Sequence, residues 1–370
     1  MKFFLIGLLF VTKIVISQTI IPLGSNSTYN FDTIKLMLND KKNICLGEDA
    51  HRIETFSRFK TELIKYLHEN LNYNHIAFEG SLLNITNGYY NLKSDTSILR
   101  ESFFSIWQTQ SLLDLVNYIS ISKKSINQLS ISGFDIQVTN SYSSSTWLKT
   151  LFLETNPNYS ELVYDRDVDL INTCAIIRKS ISENKMIGIP NDTLNNFITF
   201  YESFSDSIER NKKRLLSTNL LTELQYTLVK HAILDRIRYS KFLAITDVHQ
   251  SMVFRDSIMA ENMNWIINDL YQNEKIIFWA HDDHLSKKTV KRYKKYKLKS
   301  SVESLPEETK SKIETISLNF LNNAPREIRI KIKKMNGNVF FVKNPLYLNG
   351  TFEYVIYFRN TEAIDKFRIK

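Results

Sequence analysis

Four short apolar runs in this sequence each end at ionisable residues. The runs are typical of buried strands, and the residues after them are acidic or histidine, namely Glu48 with His51, Glu79, Asp135, and the block His281 to His284. In an open α/β sheet, ligands bind at the carboxyl ends of the strands. Buried charges are costly without partners, and charges that converge can act as partners for one another. The pattern therefore predicts a single polar pocket that these residues share.

The motifs of several other chemistries are missing from the sequence. There is no GxSxG nucleophile elbow, no GxGxxG fingerprint and no phosphate-binding P-loop. Cys45 lies within an apolar run, where an inert buried thiol is expected, and neither it nor Cys174 belongs to a set with zinc spacing. We predict no cofactor and no metal, with a metal site at His281 and His284 as the open alternative.

Short β-rich runs recur far apart along the chain, and segments of helical period separate them. The runs are Ile44 to Leu46, His75 to Phe78, Leu129 to Phe134, Lys275 to Trp279, Thr315 to Phe320 and Tyr354 to Phe358. One such segment places apolar residues at positions 59, 63, 64 and 67, the spacing of a helix face. Strands that alternate with helices predict an α/β fold with a mainly parallel sheet flanked by helices. Strand signals nearly vanish over 144–241, which predicts a helical insertion, as a lid or side domain, between the core segments 18–143 and 242–370.

Residues 1–17 have the layout of a secretory signal peptide. Lys2 precedes an apolar run from Phe3 to Val11, and the small residue Ser17 stands before Gln18 at a suitable cleavage point. A buried N-terminal strand or helix is the alternative interpretation. The run is too short to span a bilayer, and no later apolar run reaches the length of a membrane span. We therefore predict an exported protein, periplasmic or secreted, without a stable membrane span.

Composition and charge narrow the class of protein. The chain has 370 residues, of which 43% are apolar and 24% charged, so it can bury a core and is not a disordered chain. Lys plus Arg exceed Asp plus Glu by nine, an excess spread too thinly to predict a nucleic-acid partner. Eight of the thirteen residues from Lys287 to Lys299 are basic. We expect an exposed, solvated segment there, with an anionic substrate, an acidic surface or nucleic acid as alternatives.

An ordered set of motifs resembles the erythromycin esterase family. The segment Leu46 to His51, followed by Lys60 and by Ala77 to Glu79, is similar to the opening of that family. Further blocks that agree come in the expected order along the chain; they are Trp107, Gly133 to Gln137, Arg255 to Trp265 and Trp279 to His284.

The resemblance implies a hydrolase that opens an ester, which in the best-known members is the macrolactone of macrolides. It also implies a histidine general base that activates water, without a covalent serine intermediate. The functional positions of the family correspond here to Glu48, His51, Lys60, Glu79 and His281. The expected partner is accordingly a small-molecule ester or lactone, and the sequence indicates no oligomeric state.

The residue types support this chemistry without the resemblance. Histidine titrates close to neutral pH, which makes His51 a suitable general base. A carboxylate such as Glu48 or Glu79, bonded to the far ring nitrogen, would set the tautomer and raise the basicity. Lys60 or a protonated His281 could stabilise the oxyanion, an effect of about 3 kcal/mol per donor.

The sequence departs from the family pattern at several positions near the motifs. The usual Thr before the motif His is Ala50, and the usual Gly after it is Arg52. Lys60 replaces an Arg and so loses the planar fork that binds a carboxylate or an oxyanion. Asp282 replaces an Asn, and Gln110 replaces an acidic residue. The base and the carboxylates are retained while these residues differ, so we expect erythromycin itself to be a poor substrate.

Charged residues in or beside the motifs are the predicted substrate contacts. They are Lys60, Arg52, Asp135, Arg255, Asp282 and His284. Two interpretations compete with the esterase. One is a ligand-binding protein of the same fold that has lost turnover, and the other is a metal-dependent hydrolase that uses His281 and His284.

Overall fold

The structure of the chain is a computed structural model that describes residues 19–25, 27–91, 97, 101–183, 188–288, 298–343 and 351–363. The predicted signal peptide, residues 1–17, and residues 289–297 of the basic stretch lie outside the described residues. Among the helices that are described, none is long and apolar enough to cross a membrane.

One sheet of eight strands runs through the described part of the molecule. The strands are β1 Ile20–Gly24, β2 Asn43–Leu46, β3 Tyr73–Ser81, β4 Ser130–Asp135, β5 Lys275–Trp279, β6 Ile313–Phe320, β7 Val339–Lys343 and β8 Tyr354–Phe358. Their order across the sheet is β1-β7-β8-β6-β2-β5-β3-β4. Neighbouring strands are parallel, except that β7 is antiparallel to both β1 and β8. The predicted α/β fold with a mainly parallel sheet is confirmed.

Helices occupy most of the remaining described chain. They are α1 Asp32–Leu38, α2 Glu54–Leu71, α3 Leu82–Tyr90, α4 Gln110–Ser122, α5 Ser143–Thr150, α6 Pro157–Ser182, α7 Asn191–Arg210, α8 Lys212–Ser217, α9 Glu223–Phe242, α10 Val248–Trp265, α11 Asp282–Leu285, α12 Ser301–Ser304, α13 Glu307–Ser311 and α14 Arg326–Lys333. A π-helical turn, Ile266–Leu270, continues α10, and a 3₁₀ turn, Leu321–Asn323, comes directly after β6. The described secondary structure within 144–241 is helical, and the division of the chain into domains stays a prediction.

Helix α2 shows how an amphipathic pattern positions a site residue. Phe59, Leu63 and Leu67 are fully buried in a core that the helix shares with the sheet. The helix ends where Asn72 takes a left-handed conformation with φ 58° and its N–H bonds to the Leu67 carbonyl. Lys60 is also fully buried, so a cation interrupts this apolar pattern. A charge at such a position requires a buried partner.

Side chains of the central strands alternate between two cores. In β5, Ile277 and Trp279 pack into a core with α2 and α4, whereas Ile276 and Phe278 pack into a second core with α10. The sheet is therefore buried on both faces, as is usual for parallel strands. A third core joins helices α5 to α9 to α3 and to the segment directly after β4.

An irregularity in the sheet lies beside the polar residues. The register of β3 against β4 shifts between Phe78 and Ser81, and Glu79 falls within this shift. Gly133 of β4 lies against the irregularity, where an added Cβ would come within 2.2 Å of the Gly80 carbonyl oxygen. Only glycine permits this close approach of two backbones.

Candidate active site

Glu79 of β3 and the segments directly after β2, β4 and β5 meet around an open cavity of about 510 Å³. This volume is in the range of small-molecule sites. The lining consists of His51, Glu79, Phe104, Ile106, Gln137, Arg255, His281, Asp283 and His284. The structure thus brings together three of the four residues predicted to be catalytic, and the fourth, Glu48, contacts His51 from behind.

His51 lies between β2 and α2, at the rim of the cavity. Its Nδ1 is 3.3 Å from Oε1 of Glu48, whose side chain is almost fully buried. The imidazole packs edge to face against Trp107, with 4.6 Å between the ring centroids. With Nδ1–H donating to Glu48, the lone pair of Nε2 is left for a water molecule. The His51 side chain is 30% exposed, so solvent can reach it.

Lys60 lies behind Glu48 and outside the lining of the cavity. Its Nζ is 3.0 Å from Oε2 of Glu48 and 4.8 Å from the centroid of the Trp279 ring. Burial lowers the pKa of Lys60, and the charge of Glu48 opposes this effect. Because the Lys60 side chain is fully buried, it is placed to neutralise Glu48 and not to contact a molecule in the cavity.

Glu79, near the end of β3, holds two other elements in place. Its Oε2 accepts a hydrogen bond from the backbone N–H of His281 at 2.9 Å, and its Oε1 accepts one from Nη2 of Arg255 at 3.0 Å. Nε and Nη2 of Arg255 also donate to the fully buried carboxylate of Asp135. Burial alone would raise the pKa of Glu79, but His284 and Arg255 hold it well below its usual range. Glu79 is therefore anionic at neutral pH.

His284 lies between two carboxylates. Its Nδ1 is 2.7 Å from Oδ1 of Asp256, and its Nε2 is 3.4 Å from Oε1 of Glu79. Ser301 donates a further hydrogen bond to the same Asp256 oxygen. Burial would lower the pKa of His284, but the charges of Asp256 and Glu79 raise it to about 10. His284 is an imidazolium at neutral pH and has no lone pair with which to accept a proton.

The imidazole ring of His281 packs against the ring of His51. The two ring centroids are 4.7 Å apart. Nδ1 of His281 is 3.2 Å from the backbone nitrogen of Asp283, whose N–H it accepts at the start of α11, and 3.2 Å from Oδ2 of Asp283. The first contact requires a neutral Nδ1 and the second a protonated one. Burial would lower the pKa of His281, but Asp283 raises it overall, which favours the imidazolium.

Asp282 faces the interior of the protein and is not among the lining residues. Its Oδ2 accepts a hydrogen bond from the Ser317 hydroxyl, and its backbone N–H donates to the Glu48 carbonyl at 3.0 Å. Its Oδ1 lies against Gly47, where an added Cβ would come within 2.0 Å of that oxygen. A side chain at position 47 therefore has no room. Burial raises the pKa of Asp282 to about 7.

The predicted substrate contacts fall in three places. Arg255 and His284 line the cavity, Lys60, Asp135 and Asp282 are buried behind it, and Arg52 is exposed outside the lining. Arg52 has φ 61°, in the left-handed region, which costs a residue with a Cβ about 1 kcal/mol. The family's usual glycine at this position would carry no such cost.

Four lining residues were not among the predicted site residues. Gln137 and Asp283 belong to the motif blocks at the ends of β4 and β5, so the blocks themselves were the signal that could have identified them. Phe104 and Ile106 are apolar residues shortly before Trp107 and carry no chemical signal in the sequence. Their place at the cavity results only from the tertiary fold.

Residues 19–25, 27–91, 97, 101–183, 188–288, 298–343 and 351–363 contain no group of three or more His, Cys, Asp or Glu side chains arranged to hold a metal ion. Both ring nitrogens of His284 face carboxylates, and Nη1 of Arg255 is 3.4 Å from its Nε2. Cys45 and Cys174 are free and buried, and burial raises the pKa of both thiols. The histidine block is therefore held by ion pairs within the protein.

Comparisons with known proteins fit this description. A model of the erythromycin esterase family matches residues 68–302. The Bacillus subtilis (strain 168) protein YbfO, a candidate hydrolase, is 27% identical over an alignment of 302 residues, and the match covers 74% of this chain and 63% of that protein. This chain therefore spans less than two thirds of the length of that relative.

Solved structures share the fold. A Bacillus cereus protein has a TM-score of 0.72 at 16% identity, and the match covers 92% of this chain and 95% of that one. A histidine-to-asparagine mutant of the erythromycin esterase EreC, in its open conformation, has a TM-score of 0.67 at 15% identity, with 94% and 99% covered. At these identities the likeness concerns the fold alone. Because the family model matches more than half of this chain, the chain belongs to the erythromycin esterase family.

Proposed function

We propose that this protein is an exported hydrolase that cleaves an ester or a lactone with a water molecule activated by His51. The observation that carries the proposal is the pair of His51 and Glu48, with 3.3 Å between Nδ1 and Oε1, at the rim of an open cavity. Membership of the erythromycin esterase family and the similarity to a candidate hydrolase support the same class of reaction.

In the first step, Nε2 of His51 takes a proton from water while the water oxygen attacks the ester carbonyl. A C–O bond forms, and the carbonyl π electrons move onto the oxygen, which becomes an oxyanion. Glu48 stabilises the imidazolium that results, because its carboxylate lies beside Nδ1. In the second step, the oxyanion re-forms the carbonyl, the bond to the alkoxide breaks, and His51 returns its proton to the alkoxide. The products are a carboxylic acid and an alcohol.

His281 is the proposed hydrogen-bond donor to the oxyanion. Its ring lies beside His51, and Asp283 raises its pKa, so a protonated ring can face the negative charge as it develops. One such donor contributes about 3 kcal/mol to stabilisation of the transition state. Glu79 and Arg255 act as positioning residues, because Glu79 binds the main chain of His281 and Arg255 binds Glu79.

Water is the proposed nucleophile because the described residues that line the cavity include no hydroxyl or thiol group. None of the described residues that line it is a serine, a threonine or a cysteine. The thiol of Cys45 is fully buried within β2, and burial raises its pKa, which disfavours the reactive thiolate.

Hydrolysis of a panel of para-nitrophenyl esters and lactones by purified protein tests the proposal. His51→Ala should lower kcat/KM by about 100-fold or more, since a positioned general base contributes this much. The partly exposed side chain fills no core, so the melting temperature should stay within about 2 °C. The matched control is His249→Ala, an exposed histidine of α10 that does not line the cavity, and it should leave turnover unchanged.

Each competing interpretation has its own outcome in this experiment. Unchanged turnover in His51→Ala would overturn the mechanism. Loss of turnover on treatment with a chelator would favour the metal-dependent hydrolase. Tight binding of an ester without any hydrolysis by the wild type would favour the ligand-binding protein.

Two finer parts of the proposal have separate tests. Erythromycin should be a poor substrate, because Lys60, Arg52 and Asp282 differ from the family pattern and change the charge or the geometry around the retained base. Efficient inactivation of erythromycin would refute this prediction. Protein recovered from an exporting host should begin near Gln18, because residues 1–17 resemble a signal peptide. Mass analysis that finds intact Met1 on cytoplasmic protein would refute export.

A further inference from the structure

A second cavity opens beside the first. It also measures about 510 Å³, and Phe104 and Gln137 line both cavities. These two side chains therefore form the boundary between the two spaces. A substrate whose ester group lies at His51 can extend past them into the second cavity, which we call the side pocket.

The charged groups of the side pocket are already bound within the protein. Arg178 of α6 donates from Nη1 to the Val138 carbonyl at 3.0 Å and from Nη2 to Oδ1 of Asn140. Oε2 of Glu101 lies 3.5 Å from the Ser141 hydroxyl. Among the described lining residues, this cation and this anion cancel in net charge, so they favour neither sign in a ligand. This balance argues for an uncharged occupant.

The rest of the lining offers neutral hydrogen-bonding groups beside apolar surface. The Gln137 amide and the Ser105 hydroxyl supply both donors and acceptors, and the Phe104 ring supplies an apolar face. The amide nitrogen of Gln108 donates to the Phe103 carbonyl at 3.2 Å. A ligand with hydroxyl groups along its edges and C–H groups on its faces complements such a lining. The first cavity differs, because ionised groups dominate its wall.

We propose that the side pocket binds an uncharged, polyhydroxylated part of the substrate, such as the sugar ring of an acylated glycoside. The inference rests on the proposed function for the position of the ester group, and it adds the chemical class of the group attached to it. The catalytic cavity then holds the acyl carbonyl, and the side pocket holds the hydroxylated alcohol that leaves.

The kinetic test compares two primary acetates of equal ring size. One is a methyl glucoside acetylated on its primary hydroxyl, and the other is cyclohexylmethyl acetate, which has no free hydroxyl group. The wild type should prefer the glucoside ester by about tenfold or more in kcat/KM, because a site that hydrogen-bonds the hydroxyl groups of a substrate discriminates against an analogue that lacks them. Equal rates on the two acetates would overturn the proposal while leaving ester hydrolysis intact.

Ser105 lines the side pocket and does not line the first cavity, so Ser105→Trp is the variant chosen to fill the side pocket. This variant should lose the preference for the glucoside ester, and its hydrolysis of para-nitrophenyl acetate, which needs the first cavity alone, should change less than about twofold. Ser203→Trp is the matched control, since Ser203 is an exposed serine of α7 that lines neither cavity. A preference that survives Ser105→Trp would count against the side pocket.

A binding measurement separates failure of this inference from failure of the proposed function. Saturation-transfer NMR with unacetylated methyl glucoside should give a signal with the wild type and with His51→Ala, and no signal with Ser105→Trp. A signal of this pattern without hydrolysis of any ester would overturn the proposed function and support binding of the sugar in the side pocket. Absence of the signal from the wild type would overturn the side pocket whatever the esterase activity.

Discussion

The two histidines His51 and His284 line one cavity, but their surroundings differ. His51 is partly exposed and has one carboxylate neighbour, Glu48, which Lys60 neutralises from the far side. His284 is buried and lies between two carboxylates, beside the guanidinium of Arg255. We call these surroundings the His51 half and the His284 half of the site.

The difference shows how burial and the number of carboxylates assign roles to the same residue type. In the His284 half, two carboxylates overcome the cost of burial and fix the imidazole as a cation. In the His51 half, one carboxylate whose charge is already balanced orients the ring and leaves one nitrogen open to solvent. The first arrangement suits a structural cation, and the second suits the proton transfer that we propose for His51.

The largest expected effects come from removing Arg255 from the His284 half and Lys60 from the His51 half. Arg255→Met leaves the buried carboxylates of Glu79 and Asp135 without their shared guanidinium and should destabilise the protein by about 5 kcal/mol. Lys60→Met leaves only Glu48 uncompensated and should cost about 3 kcal/mol. Urea unfolding followed by circular dichroism measures both values.

A surface control calibrates these losses. Arg166→Gln, on the exposed side of α6, should change the free energy of unfolding by less than about 0.5 kcal/mol. If Arg255→Met proved no more costly than Lys60→Met, the two halves would not differ in the way described.

The next effect concerns pH and the His284 half. The folded pKa of His284, about 10, lies above its ordinary value of 6.5, so its contribution to stability is complete below pH 6.5 and is lost as the pH rises through 10. The difference in unfolding free energy between wild type and His284→Gln should therefore shrink over this interval, by up to about 1.4 kcal/mol per pH unit. A difference that stays constant from pH 6.5 to pH 10 would contradict the assignment of His284 as a buried cation.

The smallest expected effect concerns the backbone conformation of Arg52, next to His51. Arg52→Gly should stabilise the protein by about 1 kcal/mol, because glycine adopts the left-handed φ of this position without strain. Asn72→Gly, at a similar φ of 58°, should gain less, since asparagine tolerates this conformation. Thermal unfolding ranks the two variants. A rise in KM for Arg52→Gly would identify Arg52 as a substrate contact, and an unchanged KM would show that the side chain stays outside the site.

Much of the fold could be predicted from the spacing of apolar runs, because parallel strands buried on both faces give uninterrupted hydrophobic segments. The strands β1 and β7 were not predicted in this way. β1 contains Pro22, which argues against a strand and is tolerated here because β1 lies at the edge of the sheet. β7 runs antiparallel to both of its neighbours, outside the alternation of strands and helices on which the prediction rests.

Residue types and their positions at strand ends were the only features of the site that could be predicted from the sequence. The convergence of His51, Glu79 and His281 was expected from the rule for strand ends. The burial of Lys60 and Asp282 was not, because the direction of a side chain near a strand end depends on packing that the sequence does not state. The side pocket could not be predicted either, since Phe104 and Gln137 are distant in sequence and come together only in the tertiary fold.

The hydrogen bond between Glu79 and the main-chain nitrogen of residue 281 has a consequence for protein engineering. Because the bond uses the backbone, every amino acid except proline can make it. The side chain at position 281 can therefore be exchanged while the loop after β5 keeps its anchor on β3. A library at this one position would vary a side chain that lines the cavity at constant backbone geometry, which makes residue 281 the natural place to redesign the chemistry of the cavity.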